Sequence, residues 1–136
     1  MSHGLNLGKS DSGQVRDLII YSDIDKLQFI LSNGLYLERL DYRDMADTIR
    51  RISIEKIKLL LINNLDLGKL ISMGIITIIQ DGDMNKLNFL LSHGLDLNKI
   101  RSRDFDISKC DINGLKFLLK IELILRLINS VHTRWL

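Results

Sequence analysis

Four groups of residues have the types needed for chemistry, and their spacing decides how much each can do. Gly4-Leu-Asn-Leu-Gly-Lys-Ser10 has the composition of a phosphate loop. That cradle needs four residues between its glycines, so that successive backbone N–H groups close around the phosphate. Here there are three, and no buried strand leads in. Asp81-Gly-Asp-Met-Asn85 opens like a calcium-binding loop, yet its sixth position is Lys86 instead of glycine and its twelfth is Ser92 instead of glutamate. Asp83 is better explained as a helix cap. His3 and His93 each precede a glycine, but Asn33 and Asn63 fill the same place elsewhere, so a ligand role would come and go along the chain. His132 has no carboxylate or thiol neighbour, and Cys110 is the single cysteine. No internal disulfide, zinc set, Ser/His/Asp or Cys/His constellation can be built from these residues. The expectation is a protein without catalytic residues, cofactor or metal, in which Cys110 is a small apolar filler.

Contact chemistry is better represented. Arg39, Tyr42 and Arg43, then Lys69, Ser72 and Met73, then Lys99, Arg101 and Arg103 fall in segments that need not serve a core. Tyr and Arg are the residue types that most often anchor protein interfaces. Asp47 and Thr77 share with Asp17 a register left open to solvent, and extend the candidate surface onto neighbouring helices. Lys26, Lys56 and Lys86 recur at equal spacing. They read as a solvated outer face in preference to a stripe for an acidic partner.

The elements that must position these residues come from a repeat of thirty residues. Ser-Asn-Gly-Leu-Tyr-Leu from Ser32 returns as Ile-Asn-Asn-Leu-Asp-Leu from Ile62 and as Ser-His-Gly-Leu-Asp-Leu from Ser92, and Ser2 to Leu7 matches the same register. Periods of roughly 20–50 residues mark stacked-repeat folds. Ahead of each exit turn lies one helix signed at both ends. Asp23, Ser53 and Asp83 are N-cap residues, and Gly34, Asn64 and Gly94 are the types that take the left-handed conformation just past a helix. Leu27/Ile30/Leu31, Ile57/Leu60/Leu61 and Leu87/Leu90/Leu91 form one apolar stripe, which Phe29, Leu59 and Phe89 should widen. Shorter segments, Val15 to Ile20, Met45 to Ile52, Ile75 to Ile79 and Phe105 to Ile107, are read as partner helices. Ile75-Ile-Thr-Ile-Ile would favour a strand on propensity alone, but register with its neighbours makes it a helix. Leucine or isoleucine at 35/37/40, 65/67/70 and 95/97/100 should tuck beneath the stack.

Bulk properties agree with one compact all-α domain. The chain has 136 residues, is 46% hydrophobic and 26% charged, contains no proline and carries a net charge of +2. A nucleic-acid binder would show a basic excess, a membrane protein about 18 consecutive apolar residues and a secreted one an apolar leader, and none is seen. A cytoplasmic protein is expected. The division is a partial repeat at 1–11, full repeats at 12–41, 42–71 and 72–101, and a degenerate capping repeat at 102–136. In the last, Asp111-Ile-Asn-Gly-Leu-Lys-Phe-Leu-Leu119 returns at a spacing of 28, Leu115 following Leu87, and then runs on without a stop signal. The helix read over 112–130 is apolar on most sides. It should pack as a cap or associate with a second copy.

Leu87-Asn-Phe-Leu-Leu-Ser-His-Gly-Leu-Asp-Leu-Asn98 resembles the second helix and exit turn of the ankyrin repeat. The Asn-rich and Ile-rich wording is similar to divergent ankyrin proteins of large DNA viruses and intracellular bacteria. The family's Thr-Pro-Leu-His opening has no counterpart, leucine replaces the alanine after the turn glycine, and the period is thirty instead of about 33. The resemblance implies a helix-turn-helix solenoid that binds proteins through its loop tips and first-helix face, in the host cytoplasm if viral. The expected function is therefore a non-enzymatic adaptor or scaffold, with a self-assembling structural protein as the alternative.

Overall fold

The computed structural model describes residues 7–120. Among them are seven α-helices: α1 (Ser12–Tyr21), α2 (Ile24–Ser32), α3 (Tyr42–Arg51), α4 (Ile54–Ile62), α5 (Ser72–Gln80), α6 (Met84–Ser92) and α7 (Ile112–Lys120), with no strand among the described residues. Successive pairs start thirty residues apart, and 3-10 turns at Leu7–Lys9, Leu37–Arg39, Leu67–Lys69 and Leu97–Lys99 keep the same interval. The isoleucine-rich segment is helical, as its register requires.

Each hairpin is fixed by its caps. Asp11 and Gln14 form a reciprocal capping box on α1, and Asp41 accepts the Asp44 N–H at 2.8 Å on α3. On the second helices Asp23, Ser53 and Asp83 accept the N–H groups of Lys26, Lys56 and Lys86. Those helices stop at Gly34, Asn64 and Gly94, whose φ angles are 104°, 71° and 108°. The N–H groups of Leu35, Leu65 and Leu95 then donate back to the carbonyls of Ile30, Leu60 and Leu90 at 3.2, 2.9 and 3.0 Å. This backward bond satisfies a helix-end carbonyl and turns the following leucine inward.

The chain divides into two compact units, one reaching to Lys69 and the other starting at Leu70. In the first, α1 packs on α3 and α2 on α4, burying Val15, Ile19, Leu27, Leu40, Met45, Ile49, Ile57 and Leu60. In the second, α6 packs on α7, with Ile75, Ile78, Ile79, Leu87, Leu90, Phe117 and Leu118 enclosed. Full burial of such a side chain contributes roughly 1.5–3 kcal/mol before ordering entropy is subtracted. The leucine rows at 35/37/40 and 65/67/70 are buried, while Leu97 in the third row is only half-buried.

Several expectations are corrected. Phe105 to Ile107 is no helix: 3-10 turns at Ser102–Asp104 and Ile107–Lys109 occupy the segment. Its polar side chains bond locally, Asp106 Oδ1 accepting both the Ser108 N–H at 3.0 Å and its hydroxyl at 2.6 Å, which competes with helix formation. Phe29 does not widen the apolar stripe but is 67% exposed, because it sits two residues past Leu27 and so on the far side of the helix. Phe89 is half-buried, its ring 4.1 Å from that of His93.

The lysine row is not a solvated face either. Lys26 is exposed, but the Lys56 ammonium donates to the Ile19 and Ile20 carbonyls, both at 2.9 Å, and Lys86 is only 7% exposed. Lys56 thus caps the end of α1, where helix carbonyls lack partners and a positive charge is favoured. In the fourth copy, where only α7 is helical, Gly114 occupies this register, and a Cβ built there would lie 2.7 Å from the Ile79 carbonyl oxygen. Backbone meets backbone where a lysine reaches across in an earlier copy. The expected helix beyond Lys120, His3, His132 and most of the 1–11 partial repeat lie outside the described residues. No helix among the described residues is long and apolar enough to cross a membrane.

Candidate protein-binding surface

The loop tips are built by a clasp that occurs once in each unit. In the first, the Ser12 hydroxyl accepts the Asp41 N–H at 2.9 Å and donates to the Asp44 carboxylate, which also takes the Arg16 guanidinium at 2.9 Å. In the second, sixty residues on, the Ser72 hydroxyl accepts the Arg101 N–H at 2.9 Å beside the Asp104 carboxylate. Arg101 Nε donates to the same carboxylate at 2.9 Å. A serine at the start of one helix pair thus ties down the segment that opens the next. The Ser72 hydroxyl, followed by the Arg101 guanidinium, holds Asp104 below the usual carboxylate range.

This geometry sorts the candidate contact residues. In the first unit Arg39, Tyr42 and Arg43 are exposed, and the Arg43 guanidinium lies 5.7 Å from the centre of the Tyr42 ring. Lys69 is half-buried, and its ammonium donates to the Glu38 and Leu40 carbonyls at 2.9 and 3.0 Å, so its role is to hold the preceding turn. Asp47 is half-buried between Arg50 at 3.7 Å and Arg51 at 3.4 Å. In the second unit Met73, Lys99, Arg101 and Arg103 are exposed. Ser72 is buried within its clasp, and Thr77 is half-buried with its hydroxyl donating to the Met73 carbonyl at 2.8 Å.

Charge on the first helices is mostly paired. Arg51 donates to the Tyr21 hydroxyl at 3.1 Å and lies over its ring, and that bond, with Asp47, raises the guanidinium pKa. Arg16 is likewise raised, chiefly by Asp17. Sequence reasoning passed over Tyr21, Tyr36, Ile62 and Ile71, all exposed. Their register mates carried the signal: Tyr21 aligns with Arg51 and Asp81, Tyr36 with Asp66 and Asp96, and Ile62 with Ser32 and Ser92, all polar. No trio of potential metal ligands gathers among the described residues. Cys110 is half-buried, and burial followed by Asp111 and Asp106 pushes its thiol up, away from reactivity. No family model matches the chain, and neither the curated proteins nor the solved structures yielded a match.

Proposed function

We propose that this chain is a non-enzymatic protein-binding module, a solenoid of ankyrin-type helix hairpins that presents its loop tips to a protein partner in the cytoplasm. What carries the reading is one register position: Arg43, Met73 and Arg103, thirty residues apart, are all exposed while their near neighbours serve the clasps and the core. A surface ordered before binding loses little entropy on contact, so modest contacts add up. The lone Cys110, with its raised pKa, suits a reducing compartment. The test is quantitative affinity capture with wild type beside an Arg43→Ala/Arg103→Ala variant. At least a fivefold drop in recovery, at an unchanged melting temperature, supports the reading, and equal recovery by both proteins overturns it.

A second reading is self-assembly. It draws on α7, which exposes Ile112 and Leu119 on its surface while Phe117 and Leu118 are buried. Sedimentation across a hundredfold concentration range decides it, since a concentration-independent monomer removes assembly.

A further inference from the structure

The kind of partner follows from which cations the fold leaves unused. Arg16, Arg50, Arg51 and Arg101 each sit against a carboxylate. Arg103 is exposed, and its guanidinium has neither hydrogen bond nor ion pair among the described residues. Its place is nonetheless fixed. The turn Ser102–Asp104 packs on α5, closed by the Asp104 N–H donating to the Arg101 carbonyl at 2.9 Å and tied to Ser72 through the Arg101 N–H at 2.9 Å. Ser72 is flanked by Ile71 and Met73, which are 42% and 50% exposed. One anchor therefore holds, on adjoining segments, a guanidinium with no hydrogen bond or ion pair among the described residues and two solvent-facing apolar side chains. The nearby Asp104 carboxylate is bonded by Arg101 at 2.9 Å and also feels the charge of Arg103, without a direct ion pair between them.

A guanidinium fork matches a carboxylate, and an apolar pair beside it matches an aliphatic side chain. A nucleic acid would want stacking aromatics beside its phosphate contacts, and none of the exposed described residues at this tip is aromatic. We propose that the tip of the second unit binds an acidic segment of the partner protein, with a Glu or Asp carboxylate on Arg103 and a neighbouring aliphatic side chain over Ile71 and Met73. This rests on the protein-binding reading and narrows it.

The probe is a capped peptide, Glu-Glu-Leu-Glu-Glu, titrated into the full chain by ¹⁵N NMR beside its Gln-Gln-Leu-Gln-Gln counterpart. Saturable shifts centred on Met73, Arg101 and Arg103 are expected. Affinity should fall about fivefold or more for the glutamine peptide and for Arg103→Ala, about threefold for Met73→Ser, and again between low and high salt. Equal binding of both peptides, full affinity in Arg103→Ala, shifts centred elsewhere, or binding of anionic vesicles or oligo-RNA in place of the peptide would each overturn the proposal. Exposure of Arg103 and Met73 keeps the variants folded, and unchanged spectra away from the tip verify it. Loss of capture by the Arg43/Arg103 variant with no binding of the glutamate peptide sinks the acidic partner and leaves the protein-binding reading standing. Equal capture by variant and wild type sinks that reading itself.

Discussion

Ser72 shows how a residue chosen for the surface can belong to the interior. Its buried hydroxyl accepts the Arg101 N–H and is the leading cause of the lowered Asp104 pKa. Ser72→Ala should destabilise the protein by about 1–2 kcal/mol, since a buried hydrogen bond is lost and its former partners are left without it. Thermal or urea unfolding measures that. Asp104 adds a pH dependence. Because its pKa is lowered in the folded state, its contribution is present above the ordinary carboxylate value near 4 and is lost as pH falls through the lower folded value. In Ser72→Ala the Asp104 carboxyl, followed by NMR, should titrate at higher pH than in wild type. An unmoved titration would show that the serine does not hold the charge.

Lys56 is a second residue whose role depends on its neighbours. Lys56→Met should cost about 1–2 kcal/mol through the two lost bonds to the end of α1. Lys26→Met, at the exposed register mate, should change stability by less than about 0.5 kcal/mol. Equal effects at the two positions in chemical denaturation would discount the capping role.

At the scale of the element, the helices of the first three pairs were legible in the sequence because their ends carry their own instructions. N-cap Asp or Ser and the left-handed Gly/Asn/Gly series are local signals, and the structure realises each of them. The i, i+3, i+4 apolar stripe was equally plain, down to the helical Ile75 to Ile79. What was not legible depends on a neighbouring element. A lysine at the third helical position looks the same on paper whether it meets water, as Lys26 does, or the carbonyls of another helix, as Lys56 does. Among the contact candidates, Arg43 and Arg103 could be placed from register alone, whereas the fates of Ser72, Lys69 and Asp47 depended on partners about thirty residues away or one turn along. Phe105 to Ile107 failed for a local reason that hydrophobicity does not capture: the Asp106 side chain offers the backbone a turn instead.

Glycine gives this scale its sharpest test. Gly13 and Gly114 both lie inside helices, where alanine is intrinsically better by about 1 kcal/mol. A Cβ at Gly13 would meet nothing closer than 3.6 Å, so Gly13→Ala should stabilise by about 0.5–1 kcal/mol. At Gly114 it would press on the Ile79 carbonyl oxygen at 2.7 Å, so Gly114→Ala should destabilise by about 1–3 kcal/mol despite the propensity gain. Melting temperatures of the two variants should move in opposite directions. A rise in both would mean that α7 does not approach α5 so closely.

Across the whole molecule, one repeated sequence is put to two uses. Leucine rows and caps recur with little change, while the exposed register positions vary freely, as at Arg43, Met73 and Arg103. The near-neutral total of +2 conceals this, because several first-helix arginines are in ion pairs, while the tip arginines Arg39 and Arg103 make none among the described residues. Local stability should follow the same division. Amide exchange should be slowest along the buried rows of α2, α4 and α6 and fastest through residues 101–110, where short 3-10 turns replace a helix. Protection of 101–110 equal to that of α4 would contradict the description of that segment.

The glycine at 114 also bears on how such a sequence can lengthen. Copies that begin thirty residues apart and end in interchangeable turns can be duplicated in frame, each newcomer inheriting the caps and leucines of its parent. The last step, two residues shorter and closed by a contact that admits only a hydrogen atom above the Ile79 oxygen, accepts no such substitute. A copy carrying lysine at that register, as the three preceding ones do, would therefore not seat in place of α7 without displacing the Ile79 carbonyl.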